Sequence, residues 1–404
     1  MLFVDMRILS IIFSIALVAS LWVLQGESLS KYEFARKEEL STRDGNTPMV
    51  FELHNGDLHM KVTNWGATIL SLSIPDVKGK LADVVLGFDT LTPYMNGSSP
   101  YFGALVGRVA NRIKNAQFTL NGTTYHLPAN DGNNTIHGGI RGFDKVLWTA
   151  KEKKWGNFSS IRFTYHSYDG EQGFPGDLDV SATYTLGHNK LRLDMEAVAR
   201  NKPTPVNLVQ HTYWNLAGQN SGRDILGHSV KIWASHYTPT DKALIPTGQI
   251  LPVKGTPLDF TREATVGSRI NELPAGYDHN YVLDSGKKFK NGLRPAARVK
   301  EEHSKRMLEV WTTAPGMQFY TSNTLNISGG KGGAVYKEHF GLCLETQDFP
   351  NAVNQPNFPS EIVYPGQVYK HTMVFKFSVD KKKQLDLFFQ RLIGLEKLKD
   401  FIQF

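Results

Sequence analysis

Cysteine is nearly absent from this chain: Cys343 is the only one in 404 residues. No disulfide can form within it, so stability has to come from a large buried core. Blocks of lysine and arginine are also missing from the body of the chain, as are the motifs that read RNA or DNA. The net charge of +7, from 45 basic and 38 acidic residues, therefore does not point to a nucleic-acid partner. No long amphipathic helical pattern alternates with the strands, which argues against a βαβ architecture. Two histidines and a glutamate, His137, His211 and Glu345, invite a zinc reading, but the close spacing H-E-x-x-H is absent and the histidines are far apart in sequence, which disfavours a metal without forbidding it. Glycine (36) and proline (19) are unexceptional, which excludes fibrous and low-complexity classes.

What is present is mostly strand. A hydrophobic fraction of 41% and an aromatic fraction of 11% suit a globular protein with a sizeable core. In "GDLHMKVT" Leu58, Met60 and Val62 alternate with polar neighbours, and in "SIRFTYHSY" Ile161, Phe163 and Tyr165 share one face. "AQFTLNGTTYHL" places Asn121-Gly122 between two alternating runs, a hairpin signal, and "DLDVSATYTLGHNKLRLDMEAV" turns at Gly187-His188-Asn189. Many short strands with regular turns predict an all-β protein, a large antiparallel β-sandwich, over 49–379.

The two ends differ from this body. Arg7 followed by the apolar run Ile8–Leu24 predicts a signal peptide or uncleaved anchor over 1–26, leading into a linker over 27–48. Sequons at Asn96, Asn121, Asn133, Asn157 and Asn326 point the same way, to the secretory pathway. Over 380–404 apolar residues such as Leu385, Phe388, Leu392 and Leu395 recur at helical spacing among lysines. That tail reads as a helix covering a sheet edge or as one that meets a membrane surface or a partner.

Four stretches place polar groups in unexpectedly apolar or glycine-rich company. In "NTIHGGIRGFDKVLW" His137 directly precedes two glycines, which is either a tight turn with an incidental imidazole or an imidazole delivered to a site. In "GALVGRVANRIKNAQF" Asn111 and Arg112 read as a polyol-binding pair, or Arg112 as half of a structural ion pair. In "VNLVQHTYWNLAG" His211 reads as a satisfied core histidine or as a general acid. "FGLCLETQDFPNAVNQPNFPS" runs Glu345 out along a strand into a loop, where it is either solvated or a general base. "GYDHNYVLD" and "GMQFYTSN" add Asp278, His279 and Gln318 among aromatic residues, an inventory that fits a polar ligand such as a sugar.

Taken in order, "GRVANRI", "NTIHGGIRGFDKVLW", "QHTYWNLAG", "YTPTDKALIPTG", "YDHNYVL" and "LETQDFPNAVNQPNFPS" resemble the aldose 1-epimerase (galactose mutarotase) family over about Phe51 to Ser378. The resemblance implies a β-supersandwich that interconverts the anomers of free aldohexoses without metal or cofactor. It implies Glu345 as general base and His211 as general acid, with Asn111, Arg112, His137, Tyr213, Asp278 and Gln318 holding the substrate. A non-catalytic sugar-binding protein and a hexose 6-phosphate epimerase are the competing readings.

Overall fold

A computed structural model describes residues 36–39, 47–155, 158–284 and 292–380. The expected leader, most of the linker, the tail beyond residue 380 and the Asn157 sequon lie outside the described residues. Among the described residues, no helix is long and apolar enough to cross a membrane.

The strands assort into three large antiparallel sheets. The first has nine strands, in the order Thr149–Trp155, Phe158–Ser167, Leu178–Gly187, Lys190–Ala199, Val368–Val379, Arg306–Thr312, Arg294–Lys300, Ser229–Ile232 and Ala264–Thr265. A five-stranded sheet, Arg36–Glu39 through Leu81–Asp83, follows chain order as a meander. The other five-stranded sheet is Leu251–Pro252, Ala234–Thr238, Asp278–Leu283, Gly316–Tyr320 and Cys343–Gln347.

Period-two patterning decides which faces are buried. Along Lys190–Ala199, Leu191, Leu193, Met195, Ala197 and Ala199 point inward and their neighbours outward, as in a sheet with one wet face. These side chains join Leu53, Val62, Ile69, Ile161 and Phe163 in one core cluster, and the Phe51 and Phe163 rings meet edge to face at 6.1 Å. Both hairpins fall where the sequence predicts them, at 121–122 and 188–189. The run "RMLEVWTTAPGMQFYTSN" also gives two strands, but they belong to different sheets, so its Pro315 turn links the layers.

The strand Cys343–Gln347 departs from this pattern, because all five of its residues are buried. Alternation would place Cys343, Glu345 and Gln347 toward water and carry Glu345 to a strand end. Instead Glu345 is mid-strand and 2% exposed. The strand is covered on one face by the core and on the other by a cavity and its loops.

Candidate active site

Three adjacent strands build one wall of that cavity. Their register sets Glu345 opposite Gln318 and Gln318 opposite Asn280. Residues in register share a face, so this row of polar side chains emerges on one side of the sheet. Asp278, two residues before Asn280, reaches Gln318, whose Nε2 donates to Asp278 Oδ1 at 2.6 Å.

A short strand, Val209–His211, paired with Ala104–Val106, supplies the opposite side. It ends at His211, whose Nε2 lies 3.5 Å from Glu345 Oε2. The His211 ring stacks on Tyr213 at 5.1 Å, and its Nδ1 faces Cys343 Sγ at 3.7 Å.

The glycines after His137 have a geometric reason. Thr135–Ile136 pairs with Arg112–Ile113, and at the same end of this pair both segments take positive φ, Asn111 at 59° before one strand and His137 at 51° and Gly138 at 85° after the other. A Cβ on Gly138 would sit 1.9 Å from the Gly107 carbonyl oxygen, so only glycine lets the backbone pass there. In this turn the Asn111 N–H donates to His137 Nδ1 at 3.2 Å. An imidazole that accepts at Nδ1 carries its proton at Nε2, which makes His137 a fixed donor.

The two arginines of "GRVANRI" divide the roles considered for that stretch. Arg108 is buried, and its guanidinium donates to the carbonyls of Pro175 (2.8 Å) and Gly176 (2.9 Å) and to Ser167 Oγ (2.5 Å). Arg112 is both paired and at the cavity: its Nε donates to Asp131 Oδ2 at 2.7 Å, and Nη1 lies 3.9 Å from Asp278 Oδ2.

The cavity has a volume of about 350 Å³. Asn111, Arg112, His137, His211, Tyr213, Asp278, Gln318 and Glu345 all line it. His279, flagged with Asp278 in the sequence, is not in the wall; its ring lies 6.1 Å from Tyr237. Sequence reasoning passed over Tyr101, Asn323 and Thr324. Tyr101 lies between the two imidazoles, with centroids at 4.6 Å to His137 and 5.8 Å to His211. Its position depends on a backbone φ of 64°, which nothing in "SSPYFG" signals.

Burial dominates the electrostatics. It lowers His211 to about 4 and pushes His137 well below the usual imidazole value, the latter helped by neighbouring His211, Arg112 and Lys145. It raises Glu345 well above the carboxylate range, with Asp278 adding to the rise and Arg112 opposing it. The site therefore favours neutral partners on both sides of the 3.5 Å gap.

Folding brings His137, His211 and Glu345 together, with candidate ligand atoms within 4.8 Å of one another. Separation in sequence was thus no argument against a metal. The hydrogen bonding is one: a zinc-binding imidazole donates its second nitrogen to an acceptor, whereas His137 Nδ1 already accepts a backbone N–H. The trio does not fit a bound zinc ion.

A family model described as aldose 1-epimerase matches residues 49–376. Galactose mutarotase of Mus musculus is 48% identical over 337 residues, spanning 83% of this chain and 95% of that protein. Aldose 1-epimerase of Escherichia coli (strain K12) is 34% identical over 332 residues, spanning 80% and 93%. The crystal structure of an aldose epimerase homologue from C. elegans superposes with a TM-score of 0.73 at 29% identity, covering 85% of this chain and 99% of that one. An all-β sandwich, a cavity that gathers the ordered motifs, and sequence identity over most of its length agree that this chain belongs to the aldose 1-epimerase family.

Proposed function

We propose that the protein interconverts the α and β anomers of free aldohexoses, D-galactose and D-glucose, by acid–base ring opening. The observation that carries this reading is the buried Glu345/His211 pair, 3.5 Å apart, in a cavity lined otherwise by hydrogen-bonding groups. Glu345 takes the proton of the C1 hydroxyl while His211 gives one to the ring oxygen. The C1–O5 bond breaks, the aldehyde rotates about C1–C2, and closure on its other face returns both protons. Starting from carboxylate and imidazolium, ring opening leaves a carboxylic acid and a neutral imidazole. Those are the forms that burial favours. His137, Asn111, Arg112, Tyr213, Asp278 and Gln318 hold and orient the sugar.

A hexose 6-phosphate would need a cationic pocket. Among the described lining residues Arg112 is the single lysine or arginine, and Asp131 and Asp278 already engage it, which favours the free sugar. Polarimetry of freshly dissolved α-D-galactose tests the assignment. Wild type should accelerate relaxation, and Glu345→Gln and His211→Ala should each lower kcat by roughly 10²–10⁴-fold while remaining folded. Sugar binding without acceleration by wild type would instead identify a non-catalytic binding protein.

We also propose that 1–26 directs the chain into the secretory pathway, with 27–48 as linker, 49–379 as the epimerase unit and 380–404 as an appended tail. The side chains of Asn96, Asn121, Asn133 and Asn326 are exposed, as glycosylation on that route would require.

A further inference from the structure

Gln347 is fully buried and contributes nothing to the cavity wall, yet it sits in the hydrogen-bond chain that reaches it. It lies two residues after Glu345 and so on the same side of the strand. Its Nε2 donates to Asn280 Oδ1 at 3.0 Å and to Gln318 Oε1 at 3.3 Å. Gln318 passes the polarity on through its own Nε2 to Asp278 Oδ1 at 2.6 Å. Opposite Gln347 in register is Gly316, where a Cβ would sit 2.7 Å from Asn280 Oδ1. The gap left by that glycine is what lets the three amides meet.

The Gln347 side chain is costly where it stands. Its Oε1 meets no donor among the described residues, and an unpaired buried acceptor is destabilising. A methionine of similar length would fill the space without that penalty. A residue that breaks a local rule at the edge of a functional site is expected to serve the site.

We propose that Gln347 is a positioning residue for sugar binding, fixing which end of the Gln318 amide faces Asp278. The two ends of a primary amide are nearly identical in shape and opposite in hydrogen bonding, so neighbours choose between them. Gln347 occupies the carbonyl end, and the NH2 end therefore meets the carboxylate. The second N–H of Gln318 and the remaining lone pairs of Asp278 are then left for sugar hydroxyls. With the amide inverted, carbonyl lone pairs would face the carboxylate and both groups would be lost to the sugar.

This inference rests on the proposed sugar site, and its test separates the two. Gln347→Met and Gln347→Glu are made in wild type and in a Gln318→Leu background. KM and kcat are read by polarimetry, and Kd for galactose by calorimetry. Loss of one such hydrogen bond predicts that Q347M raises KM and Kd by ~3–10-fold while kcat stays within ~2-fold. In the Q318L background the same change should add less than ~1.5-fold, because its target is gone. In Q347E a buried carboxyl donates only while protonated, so its KM penalty should grow with pH where that of Q347M does not.

Wild-type KM and Kd in Q347M, or equal penalties in both backgrounds, would overturn the inference. Should Q347M not fold, the pH dependence of Q347E decides, and a flat penalty counts against it. If wild type binds galactose without accelerating mutarotation, the epimerase reading falls and the Kd values alone judge Gln347. If wild type binds no sugar, both fall.

Discussion

At the scale of single residues, His211 and Glu345 are best treated as one titrating unit. In the proposed reaction the competent form holds one proton between them, as imidazolium and carboxylate. Burial lowers the imidazole to about 4 and raises the carboxyl well above its ordinary range. A second proton therefore enters only below pH ~4, where it eliminates the base, and the shared proton leaves only above the raised Glu345 value, where the acid is lost. The limbs are thus exchanged relative to free side chains: the acid limb of kcat/KM reports the imidazole and the alkaline limb the carboxyl. We expect an acid limb near pH 4 and an alkaline limb displaced well above the ordinary carboxylate range, measured as kcat/KM against pH. An acid limb at ~6.5, the value of an unperturbed histidine, would contradict the assignment.

At the scale of elements, the site depends on short, irregular pieces of chain more than on long strands. His211 ends a three-residue strand, and His137 leaves a two-residue one through a left-handed turn. Gly138 is the tightest point of that turn, with φ of 85° and the Gly107 carbonyl in the place of a Cβ. Gly138→Ala should cost on the order of 1–3 kcal/mol in stability, because both the strain and the close approach must be relieved. It should also raise KM, since His137 and Asn111 hold their donor geometry through the same turn. Thermal unfolding and sugar kinetics on the purified variant check both effects; an unchanged KM would mean that the turn serves the fold alone. The strand Cys343–Gln347 is held from its other face, where Thr346 Oγ1 lies 2.9 Å from His371 Nε2 and 2.9 Å from Thr312 Oγ1. Such bonding fixes the Glu345 carboxylate by clamping its backbone neighbours.

At the scale of the whole molecule, a core spanning the sheets takes the place of disulfides, and it leaves the one thiol fully buried beside His211. Export, if the leader directs it, should leave a covalent mark. Expressed with its leader in a secreting eukaryotic cell, the protein should gain mass that a glycan-removing amidase takes away, and Asn→Gln changes at positions 96, 121, 133 and 326 should reduce that gain. Protein that stays unglycosylated and cytosolic would refute the proposal. Strand content, both hairpins and the candidate residues were legible in the sequence, because period-two alternation and turn chemistry act over a few residues and the motifs are contiguous. His279 shows the limit of that reading, since it adjoins a cavity residue but points to the other side of its strand. By itself, the sequence determined an antiparallel sandwich and the chemical groups available to it. Only the tertiary structure decided that Glu345 is buried mid-strand, that Tyr101 lies between the two imidazoles, that His137 is a fixed donor, and that Gln347 reaches Gln318. Each of these depends on strand register, on a left-handed backbone turn, or on desolvation by segments distant in sequence, and local patterning encodes none of the three.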